Sequence, residues 1–104
     1  REETNVPDQA LYLMNNAFVI EQAEAMALRV YKGAETNRDR ISRAFAIAFA
    51  RPATNEEIDT ALAYLSDFII RAGADSQNRQ KIERLALNTF CQSLLISAEF
   101  RYLN

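Results

Sequence analysis

Glycine and proline are scarce in this chain, with two residues of each among 104. An all-β domain of this length needs many tight turns, and those turns depend on glycine and proline. Alanine is abundant, and leucine, glutamate, glutamine and arginine are common, all of which favour helices. The composition therefore predicts an all-α protein. A chain of this length is expected to form a single domain with a core of its own.

Apolar residues recur at helical spacing through most of the sequence and mark out five segments. The five predicted helices span about 7–15, about 17–32, the stretch between the cap Thr36 and Pro52, the stretch between the cap Thr54 and Gly73, and about 77–100. The fifth segment is apolar on more than one side, which is typical of a central helix. The centre of the core is predicted to contain Phe45, Leu62, Leu65, Phe90 and Leu94. The sequence thus predicts one irregular bundle of about five helices over residues 1–104.

Thr54 is a candidate structural residue because it starts a capping-box pattern. The sequence Thr-Asn-Glu-Glu at residues 54–57 places Glu57 three positions after the threonine. In a capping box, these two side chains satisfy each other's free backbone N–H groups at the start of a helix.

The chain contains no histidine and one cysteine. Covalent haem attachment through Cys-x-x-Cys-His is therefore excluded, and so are catalytic triads with a histidine base. A tetrahedral zinc site is not expected either. Cys91 lies on an apolar helical face and is interpreted as a small buried hydrophobe. No catalytic residue, cofactor site or metal site is predicted, and the chain is not expected to be an enzyme.

A helix-turn-helix that binds nucleic acid is the weakest alternative function. Four arginines (Arg38, Arg40, Arg43 and Arg51) lie on or beside the third predicted helix, which with the fourth resembles a helix-turn-helix. The second helix of that pair begins with glutamates, which repel phosphate, and the net charge is −2. The arginines are therefore expected to form surface ion pairs, and no nucleic acid is predicted as a partner. No apolar run reaches the ~20 residues of a membrane span.

Three blocks of sequence carry a resemblance to a known family. They are TNVPDQAL, LMNNAFV and EQA within residues 4–23, RAFAIAFARPATNEE at residues 43–57, and FCQSLLISAEFRY at residues 90–102. In this order they are similar to the planctomycete C-terminal domain of unknown function, family 1553. That domain is found in large exported proteins that also carry planctomycete cytochrome c-type domains. The resemblance implies no known reaction.

The resemblance implies a context for the chain: it would be excised from the C-terminal part of a larger exported or periplasmic protein. The expected function is that of a non-enzymatic structural or protein-interaction module, with other domains of that protein, or other proteins, as partners. The alternative is a domain that shapes part of an active site whose chemistry, electron transfer or carbohydrate turnover, lies upstream. A deep polar pocket at one end of the bundle would favour this alternative.

The two ends of the chain are predicted to meet at Glu99. This carboxylate lies near the C-terminus of the fifth predicted helix, where it opposes the helix dipole. The expected partners are the free N–H groups near Gln9, the polar stretch around Asn5, or Arg101. Glu99, Asn5 and Gln9 are therefore candidate structural residues beside Thr54.

Overall fold

A computed structural model describes Tyr12 and residues 15–103, except for the side chains of 99–103. This part of the chain forms four helices and contains no strand, so the all-α prediction is confirmed. The helices are α1 (Ala17–Gly33), α2 (Asn37–Phe49), α3 (Asn55–Arg71) and α4 (Arg79–Leu103). The sequence predicts five helices, and the first of them, 7–15, falls almost entirely outside the described residues.

The last helix, α4, is the centre of the bundle. It packs against each of the other three helices and most extensively against α1. Its buried side chains come from more than one side of the helix and include Ile82, Ala86, Leu87, Phe90 and Cys91. The central position predicted from the apolar surface of this helix is confirmed.

The centre of the core differs from the prediction at one residue. Phe45, Leu65, Phe90 and Leu94 are buried as expected, but Leu62 is only partly buried and packs against the outside of the core cluster. Leu62 lies on the side of α3 and borders a surface groove. The most deeply buried large side chains are Ile41, Leu65, Val30 and Cys91, so α1 and α2 contribute more to the centre than the apolar pattern indicates.

Side-chain caps start the helices at the positions that the sequence indicates. Asn16 Oδ1 accepts hydrogen bonds from the N–H groups of Phe18 and Val19, at 2.9 and 3.2 Å. Thr36 Oγ1 accepts from the N–H of Asp39 at 3.1 Å. These bonds satisfy backbone donors that have no partner within their own helix.

The ends of α2 and α3 use left-handed backbone conformations. Gly73 has φ 74°, and it closes α3 with bonds from its own N–H to Ile70 O and from Ala74 N–H to Ile69 O. This pair of bonds is a Schellman motif, which usually needs glycine. Ala50 takes φ 55° at the end of α2, where an alanine is strained. The chain can therefore turn sharply towards α3 after Ala50.

Thr54 caps α3 through the reciprocal bonds of a capping box. Its Oγ1 accepts from the Glu57 N–H at 3.1 Å, and Glu57 Oε1 accepts from the Thr54 N–H at 2.9 Å. We expect Thr54→Ala to lower the free energy of unfolding by about 1 kcal/mol, because one N–H at the start of α3 loses its acceptor. Urea denaturation measures this loss.

Thr60→Ala is the matched control, since Thr60 is an exposed threonine inside the same helix. Alanine is at least as good a helix former there, so this variant should unfold at the same urea concentration or a higher one. A Thr54→Ala midpoint equal to that of the unmodified protein would contradict the role of the cap.

Candidate functional site

A surface groove lies where the start of α3 meets the middle of α4 and one side chain of α2. It encloses about 670 Å³, and we call it the aromatic groove. Its lining residues are Phe45, Thr54, Glu56, Glu57, Thr60, Ala61, Tyr64, Phe90 and Ser93. Its volume is within the ~300–1,000 Å³ that is usual for ligand-binding sites.

The floor of the aromatic groove is apolar. The rings of Phe45 and Phe90 lie 6.4 Å apart between centroids, and those of Phe90 and Tyr64 lie 6.3 Å apart. All are tilted relative to each other, as aromatic pairs prefer. Phe45, Phe90 and Ala61 are largely buried, whereas Tyr64 remains exposed at the edge. The floor is therefore a row of three aromatic side chains with one edge open to solvent.

The rim of the groove is polar, and most of its groups already have partners within the protein. Thr54 and Glu57 form the capping box, and Ser93 Oγ donates to Phe90 O at 2.7 Å. Glu56 and Thr60 make no side-chain hydrogen bond or ion pair to any residue that the structure describes. These two side chains are therefore the rim groups available to a bound molecule.

Glu57 is held in place by a bidentate ion pair with Arg51. Its two carboxylate oxygens accept from Arg51 Nη1 and Nη2, both at 2.9 Å. Arg51 Nη1 also donates to Pro52 O at 3.0 Å, and the guanidinium carbon lies 5.6 and 5.5 Å from the ring centroids of Phe45 and Phe49. Such paired bonds and cation–π contacts fix the planar guanidinium. The ion pair between Arg51 and Glu57, which we call the clamp, thus holds the turn between α2 and α3 in place beside the groove.

The clamp keeps Glu57 ionised. The hydrogen bonds from Arg51, followed by the bond from the Thr54 backbone, lower the pKa of Glu57 to about 2. The bond to Glu57 also raises the pKa of Arg51 above its ordinary value. A carboxylate that stays charged and fully bonded at neutral pH is poorly suited to take up and release protons.

The depressed pKa of Glu57 predicts a specific acid sensitivity. Ionised Glu57 stabilises the folded state more than the unfolded state, so its contribution is complete above its ordinary pKa of about 4.5 and is lost as pH falls towards about 2. Glu57→Gln should therefore show a smaller fall in melting temperature across this pH range. Thermal unfolding followed by circular dichroism at successive pH values measures the difference.

Glu56→Gln is the control for this experiment, because Glu56 lies next in the chain but outside the ion pair. The melting temperature of this variant should fall with decreasing pH as steeply as that of the unmodified protein. Equal profiles for Glu57→Gln and the unmodified protein would show that the ion pair does not contribute to stability.

Cys91 is completely buried in the core, as the sequence predicts for a small apolar side chain. Burial raises the pKa of its thiol to about 12, so the reactive thiolate is scarce at neutral pH. Cys91 is not among the residues that line the groove.

The arginines of the helix-turn-helix interpretation are partly engaged within the protein. Arg51 forms the clamp, and Arg40 donates to Ala34 O at 3.1 Å while its guanidinium lies 4.3 Å from the ring centroid of Tyr31. The start of α3, which would face nucleic acid in this motif, carries Glu56 and Glu57 in its first turn. The expectation that nucleic acid is not a partner stays a prediction.

The other predicted structural residues lie outside the described part of the chain. This applies to Asn5, Gln9 and the side chain of Glu99. The predicted contact between the two ends of the chain therefore stays a prediction. Among the four candidates, Thr54 is the one that the structure places, and it lies on the rim of the aromatic groove.

Comparison with known families identifies the chain. The profile of a family described as protein of unknown function, DUF1553, matches residues 1–65, which is more than half of the sequence. The chain belongs to this family. The match includes α1, α2 and the α3 side of the groove, whereas Phe90 and Ser93 lie beyond it. The block at residues 90–102 that contributes to the resemblance also lies beyond the match.

No curated protein and no solved structure matches the chain. Among the residues that the structure describes, no helix is long and apolar enough to cross a membrane. The same residues contain no group of histidine, cysteine or carboxylate side chains that could hold a metal ion. The family and the aromatic groove are thus the findings on which a functional proposal can rest.

Neither the groove nor the ion pair between Arg51 and Glu57 is predicted from the sequence. The groove combines Phe45, Tyr64 and Phe90 from three helices, and each of these residues by itself fits an ordinary amphipathic pattern. A local signal for the clamp does exist, because Arg51 and Glu57 flank the turn of the strong capping box. An arginine just before such a turn can pair with the glutamate at the third position of the helix that follows.

Proposed function

We propose that this DUF1553 domain is a non-catalytic protein-interaction module and that its aromatic groove binds a segment of another domain or protein. The observation that carries the proposal is the groove itself. It offers an apolar aromatic floor together with two rim groups, Glu56 and Thr60, that have no partner among the described residues. Protein interfaces are enriched in such aromatic contact surfaces, with polar groups around them.

The chemistry around the groove supports binding over catalysis. A domain that completes an active site is expected to offer a deep polar pocket, but the floor here consists of Phe45, Phe90 and Tyr64. Glu57 is committed to Arg51, and the thiol of Cys91 is buried. Of the described groove residues, Glu56 is the remaining carboxylate, and a single carboxylate lacks the second group that acid–base pairs use.

We also propose a setting for the module: it is one domain of a larger exported or periplasmic protein that also carries cytochrome c-like domains. The resemblance of residues 4–23 and 43–57 to family 1553 supports this setting. Its test is to locate the full-length protein in cell fractions and to record its visible spectrum. Recovery in the cytoplasmic fraction without a haem absorbance would contradict the setting and leave the groove proposal untouched.

Selection from a peptide display library tests the interaction function directly. The chain should enrich peptides that bind it in solution, and Thr60→Trp should abolish their binding because an indole at this position fills the groove. Ser66→Trp is the matched control, since Ser66 is an exposed residue of the same helix that does not line the groove. Circular dichroism confirms that both variants fold.

Two results would overturn the proposal. One is the absence of any enriched peptide that binds in solution. The other is equal loss of binding in Thr60→Trp and Ser66→Trp, which would place the binding surface elsewhere.

A further inference from the structure

We infer that the occupant of the aromatic groove is a peptide segment in which an apolar side chain, aromatic or aliphatic, is flanked by lysine or arginine. This inference rests on the proposed interaction function and specifies its ligand. It combines two independent properties of the groove, the apolar floor and the charge of the rim.

The floor selects an apolar side chain. Phe45 and Phe90 line the groove and are both 6% exposed, so packing holds their rings in place. The Tyr64 ring, which is 38% exposed, lies 6.3 Å from the Phe90 ring and extends the same surface towards solvent. An aliphatic or aromatic side chain placed here would remove apolar surface from water on both partners, which is the main favourable contribution to association. The floor offers no charged atom that a polar side chain could pair with.

The rim selects a positive charge next to that side chain. Of the two carboxylates that line the groove, Glu57 is neutralised by Arg51, which leaves Glu56 as an unpaired negative charge. Glu56 is exposed, so a flanking lysine or arginine can reach it from solution.

An acidic segment fits this site poorly, although it would lie near the N-terminus of α3. A helix N-terminus attracts anions through its free N–H groups. Here the Glu57 N–H already bonds to Thr54 Oγ1, and the unpaired carboxylate of Glu56 occupies the first turn. A further carboxylate would therefore meet like charge at close range.

The test uses three fluorescent peptides that share a central Leu-Phe pair and differ in the two flanking residues, which are lysine, glutamine or glutamate. Fluorescence anisotropy in low salt measures their dissociation constants for the unmodified chain. The lysine peptide should bind about two- to fivefold tighter than the glutamine peptide, as expected for an exposed ion pair, and the glutamate peptide should bind most weakly. Added salt should reduce the differences.

Charge reversal at the rim makes the test specific. Glu56→Lys should reverse the order, so that the glutamate peptide binds most tightly. Asp59→Lys is the matched control, because Asp59 is an exposed acidic residue of the same helix that does not line the groove. This control makes the same change in net charge and should keep the lysine peptide first.

The outcomes separate the inference from the proposed function. If Glu56→Lys leaves the order unchanged, or if the unmodified chain prefers the glutamine or glutamate peptide, the inference is wrong and the interaction function stands. If none of the three peptides binds, the inference is also wrong. The library selection and Thr60→Trp then decide the interaction function separately.

Discussion

Replacing Phe90 with alanine is expected to lower the free energy of unfolding by about 3–5 kcal/mol. Phe90 lies in the middle of the central helix α4 and is 6% exposed. Its ring contacts Phe45 of α2 and Tyr64 of α3, so its removal leaves a cavity between three helices. The expected loss is large compared with the ~5–15 kcal/mol that stabilises a typical domain.

Chemical denaturation of the purified variant measures this loss. Phe18→Ala is the matched control because Phe18 is 66% exposed, so its removal should change the stability by less than about 0.5 kcal/mol. A loss below about 1 kcal/mol for Phe90→Ala would show that α4 is not the centre of the bundle.

Ile41→Ala is expected to have the second largest effect, a loss of about 2–5 kcal/mol. Ile41 has no exposed surface, and it lies in the core cluster beside residues of α1 and α4. The cost includes both the lost burial of its side chain and the cavity that the packed neighbours cannot fill. Thermal and urea unfolding should both report the destabilisation.

Ile47→Ala in the same helix provides the comparison, since Ile47 is 40% exposed. Its removal takes away the same atoms and changes the helix propensity in the same way. It should therefore cost much less than Ile41→Ala. Similar losses for the two variants would mean that α2 does not pack against the bundle through Ile41.

The helices could be predicted because their signals are local. Asn16, Thr36 and Thr54 cap the helices that follow them, and Gly73 ends α3 as the sequence indicates. In each case the physical cause lies within a few residues of its effect. The apolar surface of α4 likewise predicts its central position, because a helix that is apolar on several sides needs several neighbours.

The candidate site could not be predicted in the same way. The aromatic groove is lined by residues of three helices, among them Phe45, Ala61 and Phe90, so it depends on how those helices pack against each other. The partial burial of Leu62 has the same origin, since the angle at which α3 packs decides which of two adjacent apolar residues faces inward. Periodicity indicates a face of a helix, but it does not give the packing angle.

The central position of α4 has a consequence for how the protein is made. Residues 1–65 match the family, yet α4 begins only at Arg79, so it leaves the ribosome after the other three helices. Until it does, the inward sides of α1 and α2, including Val30 and Ile41, have no central helix to pack against. Helices of 17 and 13 residues are barely stable alone in water, so these residues should gain their packed structure only after α4 has been synthesised. A fragment that stops at residue 65 would then be a target for proteases and chaperones, even though it contains all the residues that match the family.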